Sequence, residues 1–351
     1  MIARPRRVWI FTNFRHCRSD LTCRFVGGLA YLVFLMSAFL VVASSAVRSE
    51  KLPTPKAVFV IVDGVPADVV ERVSTPEIDL ISMSGGYARS SVGGPIDEPG
   101  ETPTISAPGY MSLLTGTWSN KHNVRTNYQL SPNYDYWNIF RLLKYLHPAL
   151  KIGIFSTWTD NRTVLLGEGL QETSELKFDY VIDGLEINLE WLPPEDQIHH
   201  IKLIDDIISI KSTDTILSHG PDLSWIYLQY TDDVGHRFGD GPELDQAVRD
   251  MDSYLGKLRV AVETRQSEND EDWLLLVTTD HGRDIVTGRS HGGQSERERT
   301  TWIATNSQHL LPEFYRKPEI VDIFPSIVAH FGLDLPEHVA RHLDGKTFIE
   351  R

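Results

Sequence analysis

Three apolar runs in this chain lead into acidic residues: Ala57–Val62 into Asp63, Trp225–Tyr230 into Asp232, and Leu274–Val277 into Asp280. His236 follows Asp232 by four positions, His281 follows Asp280 directly, and His291 lies ten residues further on beside Gly292 and Gly293. Carboxylates and imidazoles without thiolates suit a borderline divalent metal such as zinc. Singly each signal is weak. An aspartate after a strand commonly caps a turn, Asp232 to His236 reads equally well as a polar loop, and Asp233 competes with Asp232. Together, three Asp and three His at strand ends are what a two-metal centre needs. Such a centre activates an attacking oxygen and stabilises a leaving one across ions about 4 Å apart. Asp280 and His281 are neighbours, so an extended strand would point them to opposite faces. Sharing one site requires a turn, which Gly282 permits.

A nucleophile is still needed. The stretch Ser106–Gly116, SAPGYMSLLTG, reads as a helix with Ser106 as N-cap and Pro108 in its first turn. A serine there, beside bound cations, can be held as an alkoxide and attack phosphorus, and a helix N-terminus favours an anionic phosphate. The competing reading is that Ser106 only caps the helix; Thr102, Thr104 and Ser112 are rival hydroxyls.

The elements that position these groups follow from periodicity. Short apolar runs ending in polar residues are expected as buried parallel strands, whose carboxyl ends bind ligands in open α/β sheets. Ala57–Val62, Lys151–Trp158, Trp225–Tyr230, Leu274–Val277 and Thr301–Thr305 read as strands. Val69–Ser84, Trp137–Leu146, Asp196–Ser209 and Ile320–Phe331 read as helices, the last stopped by Gly332. Leu244, Ala247, Val248, Met251, Leu255 and Leu258 mark another amphipathic helix. Gly85–Ile105 reads as mostly loop, 165–195 resists assignment, and Asn161-Arg162-Thr163 is a glycosylation sequon if the host is eukaryotic. The alternation predicts an α/β fold with a mostly parallel central sheet flanked by helices, one large domain over 57–351.

Composition narrows the partners. The chain has 351 residues and a net charge of −14. No basic patch follows the first 25 residues, so no nucleic-acid binding is expected. A site for phosphates in so acidic a chain needs local positive charge, and metal ions are the obvious source. Cys17 and Cys23 are its two cysteines, so the body has neither a disulfide framework nor a thiolate metal site. Residues 1–24 are arginine-rich, 25–43 (Phe25–Ala43) are uncharged, and 44–56 read as a linker. That run is near the roughly 20 residues that span a bilayer, and the basic flank predicts an exported catalytic domain. A cleaved signal peptide competes through the small residues Ala43-Ser44-Ser45-Ala46; the long apolar run favours a retained membrane anchor.

The ordered set VDG, T-x-S-x-P…LLTG, D-x-x-G-H, DHG and HGG resembles the alkaline phosphatase superfamily, and within it the nucleotide pyrophosphatase/phosphodiesterase branch. The closing VDIFPSIVAHFGLDLP…DG is similar too, so the likeness covers about Ala57 to Gly345. It implies two zinc ions, one held by Asp63, Asp280, His281 and the nucleophile Ser106, the other by Asp232, His236 and His291. It also implies that Asn127, with Asn123 as its neighbour in HNVRTN, binds a phosphate oxygen. The implied activity is hydrolysis of phosphodiester or phosphoanhydride bonds through a phosphoseryl intermediate, on a small-molecule phosphate ester such as a nucleotide; Phe25–Ala43, if retained as an anchor, adds lipid headgroups as candidates. The rivals are a phosphomonoesterase or phosphonate hydrolase with the same site, for which Arg125 and Arg283 are candidate phosphate-binding cations, then a sulfatase, then an inactive ectodomain. Two departures stand out. Animal members of the branch usually carry Thr where Ser106 stands, and their common Asn-His pair is here Gly109-Tyr110.

Overall fold

The computed structural model describes residues 52–187 and 192–350. The arginine-rich stretch, the Phe25–Ala43 run and the linker as far as residue 51 lie outside these residues. Among the described residues no helix is long and apolar enough to cross a membrane.

In chain order the main elements are β1 (Thr54–Val62), α1 (Ala67–Arg72), α2 (Pro76–Ser84), β2 (Gly86–Ser91), α3 (Ser106–Thr115), α4 (Ser119–His122), α5 (Ile139–Leu146), β3 (Ile152–Ser156) and β4 (Tyr180–Ile182). They continue with α6 (Pro194–His219), β5 (Leu223–Leu228), α7 (Tyr230–Phe238), α8 (Pro242–Glu268), β6 (Glu271–Thr278), α9 (Glu296–Arg299), β7 (Thr300–Thr305), α10 (Ile323–His330) and α11 (Glu337–Ala340). Seven strands form one sheet in the order β2-β7-β6-β1-β5-β3-β4. β6, β1, β5, β3 and β4 run parallel, and β7 runs against both β6 and β2.

β1 is central because both its faces are apolar. Phe59 and Ile61 pack with Tyr110, Leu113, Phe140, Trp225 and Phe324, beneath α3, α5 and α10. Val58, Val60 and Val62 pack with Val69, Ile78, Ile204, Val248 and Leu255, beneath α1, α2, α6 and α8. Each such side chain removed from water stabilises the fold by roughly 1.5–3 kcal/mol. The three-layer α/β architecture expected from the alternation is present.

Local departures have physical causes. Val69–Ser84 is two helices, because Pro76 starts a new one after Thr75. The stretch read as loop contains β2, whose GYARSS lacks an apolar run but pairs antiparallel with β7. The linker ends inside β1, which starts at Thr54. α6 continues ten residues beyond Ser209, to His219. The sequon's Asn161 is fully buried and donates to Ser156 Oγ at 3.0 Å, so the folded chain does not present it for glycosylation.

Candidate metal centre and active site

The site is built where β1, β5 and β6 end. Asp63 follows Val62, and its backbone N–H donates to Leu228 O at 3.0 Å, extending the β1–β5 pairing by one step. Gly64 then turns with φ +65. Its amide donates to Asp280 Oδ1 at 3.0 Å, and Val65 N donates to Thr279 Oγ1 at 3.0 Å, which ties the two strand ends together. β6 stops at Thr278, and the bend at Asp280 lets Asp280 and His281 face one centre. Gly282 serves differently from the expectation. Its φ is not positive; a β-carbon there would lie 2.0 Å from Arg297 O, so it is close backbone approach that requires glycine.

His281 Nε2 sits 3.3 Å from Asp63 Oδ1, 3.4 Å from Asp280 Oδ2 and 3.4 Å from Ser106 Oγ. Asp63 Oδ1 and Asp280 Oδ2 are buried with no hydrogen-bond partner. Burial and the Asp63 charge push the Asp280 carboxyl well above the usual range. Burial opposes protonation of His281, but the Asp280 and Asp63 carboxylates outweigh it and raise its pKa to about 9. A protonated His281 offsets only one of the two charges and hydrogen-bonds neither oxygen, so carboxylates at this depth gain from a further cation.

The second group lies on α7, where the expectation was a strand running into a loop. Asp232 and His236 stand four residues apart on one helical face, with Asp232 Oδ2 3.2 Å from His236 Nε2. His291, on the Gly-rich loop, brings its Nε2 to 3.0 Å from that of His236. The His281 and His291 rings stack with centroids 3.7 Å apart, so the two groups adjoin. Each of the three histidines directs Nδ1 at a backbone carbonyl: His281 at Gly282 O (2.9 Å), His236 at Arg289 O (2.8 Å) and His291 at Thr104 O (2.9 Å). Nδ1 is therefore the donor, and Nε2 is the nitrogen that faces the site in each, where a cation would displace any proton it carries, as in metal-binding histidines generally. Asp63, Asp280 and His281 could hold one ion and Asp232, His236 and His291 another.

Ser106 is the first helical residue of α3, not its cap; Ile105 is the cap residue. The rival hydroxyls are otherwise engaged. Thr102 Oγ1 donates to Gly100 O and accepts from Ser119 N. Ser112 Oγ donates to Pro108 O. Thr104 Oγ1 donates to Gly293 O at 2.8 Å and accepts from Gly292 N at 3.0 Å, locking the His291 loop to the segment before Ser106. Asn127 Oδ1 accepts from Ala107 N at 2.9 Å, whereas Asn123 donates to Ser131 O. Asp233 accepts from Gln229 and is not in either ligand group. A cavity of about 220 Å³ is lined by Asp63, Ser106, Asn127 and Asp232 together with Tyr110, Tyr128, Trp158, Tyr227 and Gln229.

Several residues here have roles that the sequence did not assign to them. Arg283, a candidate phosphate contact, is wholly buried: its Nε donates to Gly64 O at 2.9 Å, and its Nη2 donates to Asp232 O at 2.7 Å and to Asp232 Oδ1. Its bonds are internal, and it holds Asp232. Arg125 is exposed and reaches Glu101 O. The Tyr110 and Tyr227 hydroxyls both donate to Asp63 Oδ2. Burial and the Asp63 charge push both phenols well above their ordinary range, which keeps them donors.

Among curated proteins, GPI ethanolamine phosphate transferase 3 of Eremothecium gossypii is 31% identical over 121 residues, covering 30% of this chain. The chain spans only 11% of that protein's length. Among solved structures, murine ectonucleotide pyrophosphatase/phosphodiesterase 5, in an inactive form complexed with AMP, superposes with a TM-score of 0.56 at 15% identity, covering 80% of this chain and 96% of that one. BT1596, a 2-O GAG sulfatase, superposes with a TM-score of 0.60 at 12% identity, covering 85% and 73%. At such identities the structures speak for a shared fold alone. Sequence decides the family: residues 57–306, from within β1 to just beyond β7, match the type I phosphodiesterase/nucleotide pyrophosphatase family, and the chain belongs to it.

Proposed function

We propose that this chain is a metal-dependent hydrolase of phosphodiester or phosphoanhydride bonds, acting through Ser106 and a phosphoseryl intermediate. The observation that carries the reading is the meeting of Ser106 Oγ, His281 Nε2 and the two unpartnered oxygens of Asp63 and Asp280. Asp63, Asp280, His281 and Ser106 would hold one zinc ion and Asp232, His236 and His291 the other. When bound, the two ions would supply positive charge to the non-bridging and leaving oxygens. Ser106 Oγ bonds to phosphorus as the bond to the leaving oxygen breaks, and the proton it gives up passes through solvent to that leaving oxygen. Asn127, whose Oδ1 accepts from Ala107 N, would donate through its NH₂ group to a non-bridging oxygen. Water then attacks phosphorus and releases Ser106.

Diesters are favoured over monoesters. Among the described residues neither Lys nor Arg lines the cavity, and Arg283 is bonded internally, so a dianionic monoester would find no lysine or arginine there for its extra charge. A nucleotide fits the same reasoning, with Tyr128 and Trp158 offering flat walls, and the AMP complex of the murine neighbour is consistent with it. The ethanolamine phosphate transferase relative supports a second reading, in which an alcohol takes water's place in the second step. From Phe25–Ala43 and its basic flank, we place the domain outside the cytoplasm, membrane-anchored or released by signal cleavage, with lipid headgroups as further candidates.

The test is metal content together with turnover of bis-p-nitrophenyl phosphate against p-nitrophenyl phosphate, for the full chain and Ser106→Ala. Two zinc ions, a diester preference and a loss of at least about 10³-fold in kcat for the variant are expected, the scale on which nucleophiles are lost. A monoester preference would transfer the assignment to a phosphatase. An active Ser106→Ala variant would remove Ser106 from the mechanism. Transfer of the phosphoryl group to an added alcohol such as glycerol would support the transferase reading.

A further inference from the structure

We propose that Tyr110 and Tyr227 are a positioning pair that fixes Asp63 as a one-oxygen ligand and thereby sets how tightly the Asp63–Asp280–His281 position holds its cation. The proposal rests on the reading that these three residues bind a metal. Both phenol hydroxyls donate to Oδ2 of Asp63, which leaves Oδ1 as the oxygen facing His281 Nε2. The two tyrosines arrive from different elements. Tyr110 is one helical turn beyond Ser106 on α3, so nucleophile and clamp share a helical face. Tyr227 is on β5, in register with Ile61 of β1. Their rings meet edge to face at 5.1 Å, and the Tyr110 ring meets Trp225 at 5.9 Å, so neither hydroxyl can swing away without disturbing the core. Gly109 completes the device. A β-carbon there would lie 2.9 Å from Asp280 O and 3.0 Å from Asp280 Cβ, so glycine lets α3 press against the Asp280 bend while Tyr110 reaches Asp63. One helix thus supplies the nucleophile and supports both carboxylates. Saturating Oδ2 also disfavours two-oxygen coordination of the kind calcium uses, and leaves the single-oxygen contact suited to a small four-coordinate ion.

The test is zinc titration of the metal-stripped full chain against a chromogenic chelator, for the wild type, Tyr110→Phe, Tyr227→Phe, the double variant and Asp63→Asn. Removing a hydrogen bond to a ligand typically loosens a metal by 10- to 100-fold. Each single Phe variant is expected to loosen one of two ions about 10-fold and the double variant about 100-fold, with the other ion unchanged; excess zinc should refill the site. A purely structural role would lower the unfolding midpoint of the stripped protein while leaving zinc affinity alone. Phe variants that titrate like the wild type, while Asp63→Asn loses one ion, would overturn the clamp and keep the metal site. An Asp63→Asn variant that holds both ions as tightly as the wild type would overturn the metal reading itself. The single variants keep both rings, so they decide the matter should the double variant fail to fold.

Discussion

At the scale of single residues, Gly64 is constrained twice over, by its backbone angle and by its neighbours. Its φ of +65 is strained for any side chain, and a β-carbon would lie 2.4 Å from Asp232 Oδ1 and 2.8 Å from Arg283 Nη2. The turn cannot relax freely, because its amide is bonded to Asp280 and its carbonyl to Arg283. Gly64→Ala should therefore combine the left-handed penalty with overlap, costing about 2 kcal/mol or more in urea unfolding. It should also displace Asp232 and lower zinc content. A cost below about 0.5 kcal/mol would show that the turn has slack the geometry does not reveal. Asp63, Asp280, His281 and Ser106 were legible because each follows or begins a recognisable run. The partners of Asp63 were not, since Tyr110 and Tyr227 lie 47 and 164 positions away and only packing brings them together. Arg283 misled for the same reason: nothing in sequence tells a buried structural arginine from one that meets substrate.

At the scale of elements, the loop that carries Asn127 hangs on a buried imidazole at the end of α4. His122 Nδ1 accepts from Val124 N at 3.1 Å, and its other nitrogen lies 3.2 Å from Ser112 Oγ on α3. Burial, helped by the Arg125 charge, pulls its pKa down to about 3. The unfolded histidine takes up a proton near pH 6.5. Unfolding therefore binds a proton between about pH 6.5 and 3, so this contribution is present above pH 6.5 and lost as pH falls. Around pH 5 the loss approaches about 1.4 kcal/mol per pH unit from this group alone. Urea midpoints at pH 7, 6 and 5 should fall more steeply for the wild type than for His122→Gln, which cannot titrate. Parallel slopes would mean that His122 is already protonated in the fold. Element type was hardest to read in sequence where tertiary support decides it. α7 looked like a loop, yet Asp205 on α6 accepts from Gln229 N (3.2 Å) and Tyr230 N (2.8 Å) at its start and stabilises that end of the helix. β2 and β4 are defined by their neighbours in the sheet more than by their own residues.

At the scale of the whole molecule, the sheet places buried like charges at its carboxyl edge and leaves their compensation to what binds there. The strand order sets β1 between β5 and β6, so Asp63 and Asp280 end up side by side with unpartnered oxygens. The alternation of apolar strands and helices made this architecture readable, because parallel strands buried on both faces leave little freedom in what the sequence can encode. On the proposed reading, a metal-free fold carries crowding that a metal-loaded fold would not. Ions that bind the native state and not the unfolded chain add about 2.7 kcal/mol for each site at free zinc 100 times its dissociation constant. Two such sites would contribute roughly 5 kcal/mol, a large part of the net stability of a typical domain. Thermal and urea unfolding of the full chain in excess chelator should therefore give midpoints well below those in zinc. Restoring zinc should return them, and Asp63→Asn should recover only part of the gain while shedding one source of repulsion in the stripped state. Midpoints that coincide with and without zinc would mean that the carboxylates are relieved by protonation instead. The orphaned oxygens of Asp63 and Asp280 would then carry no argument for a metal centre.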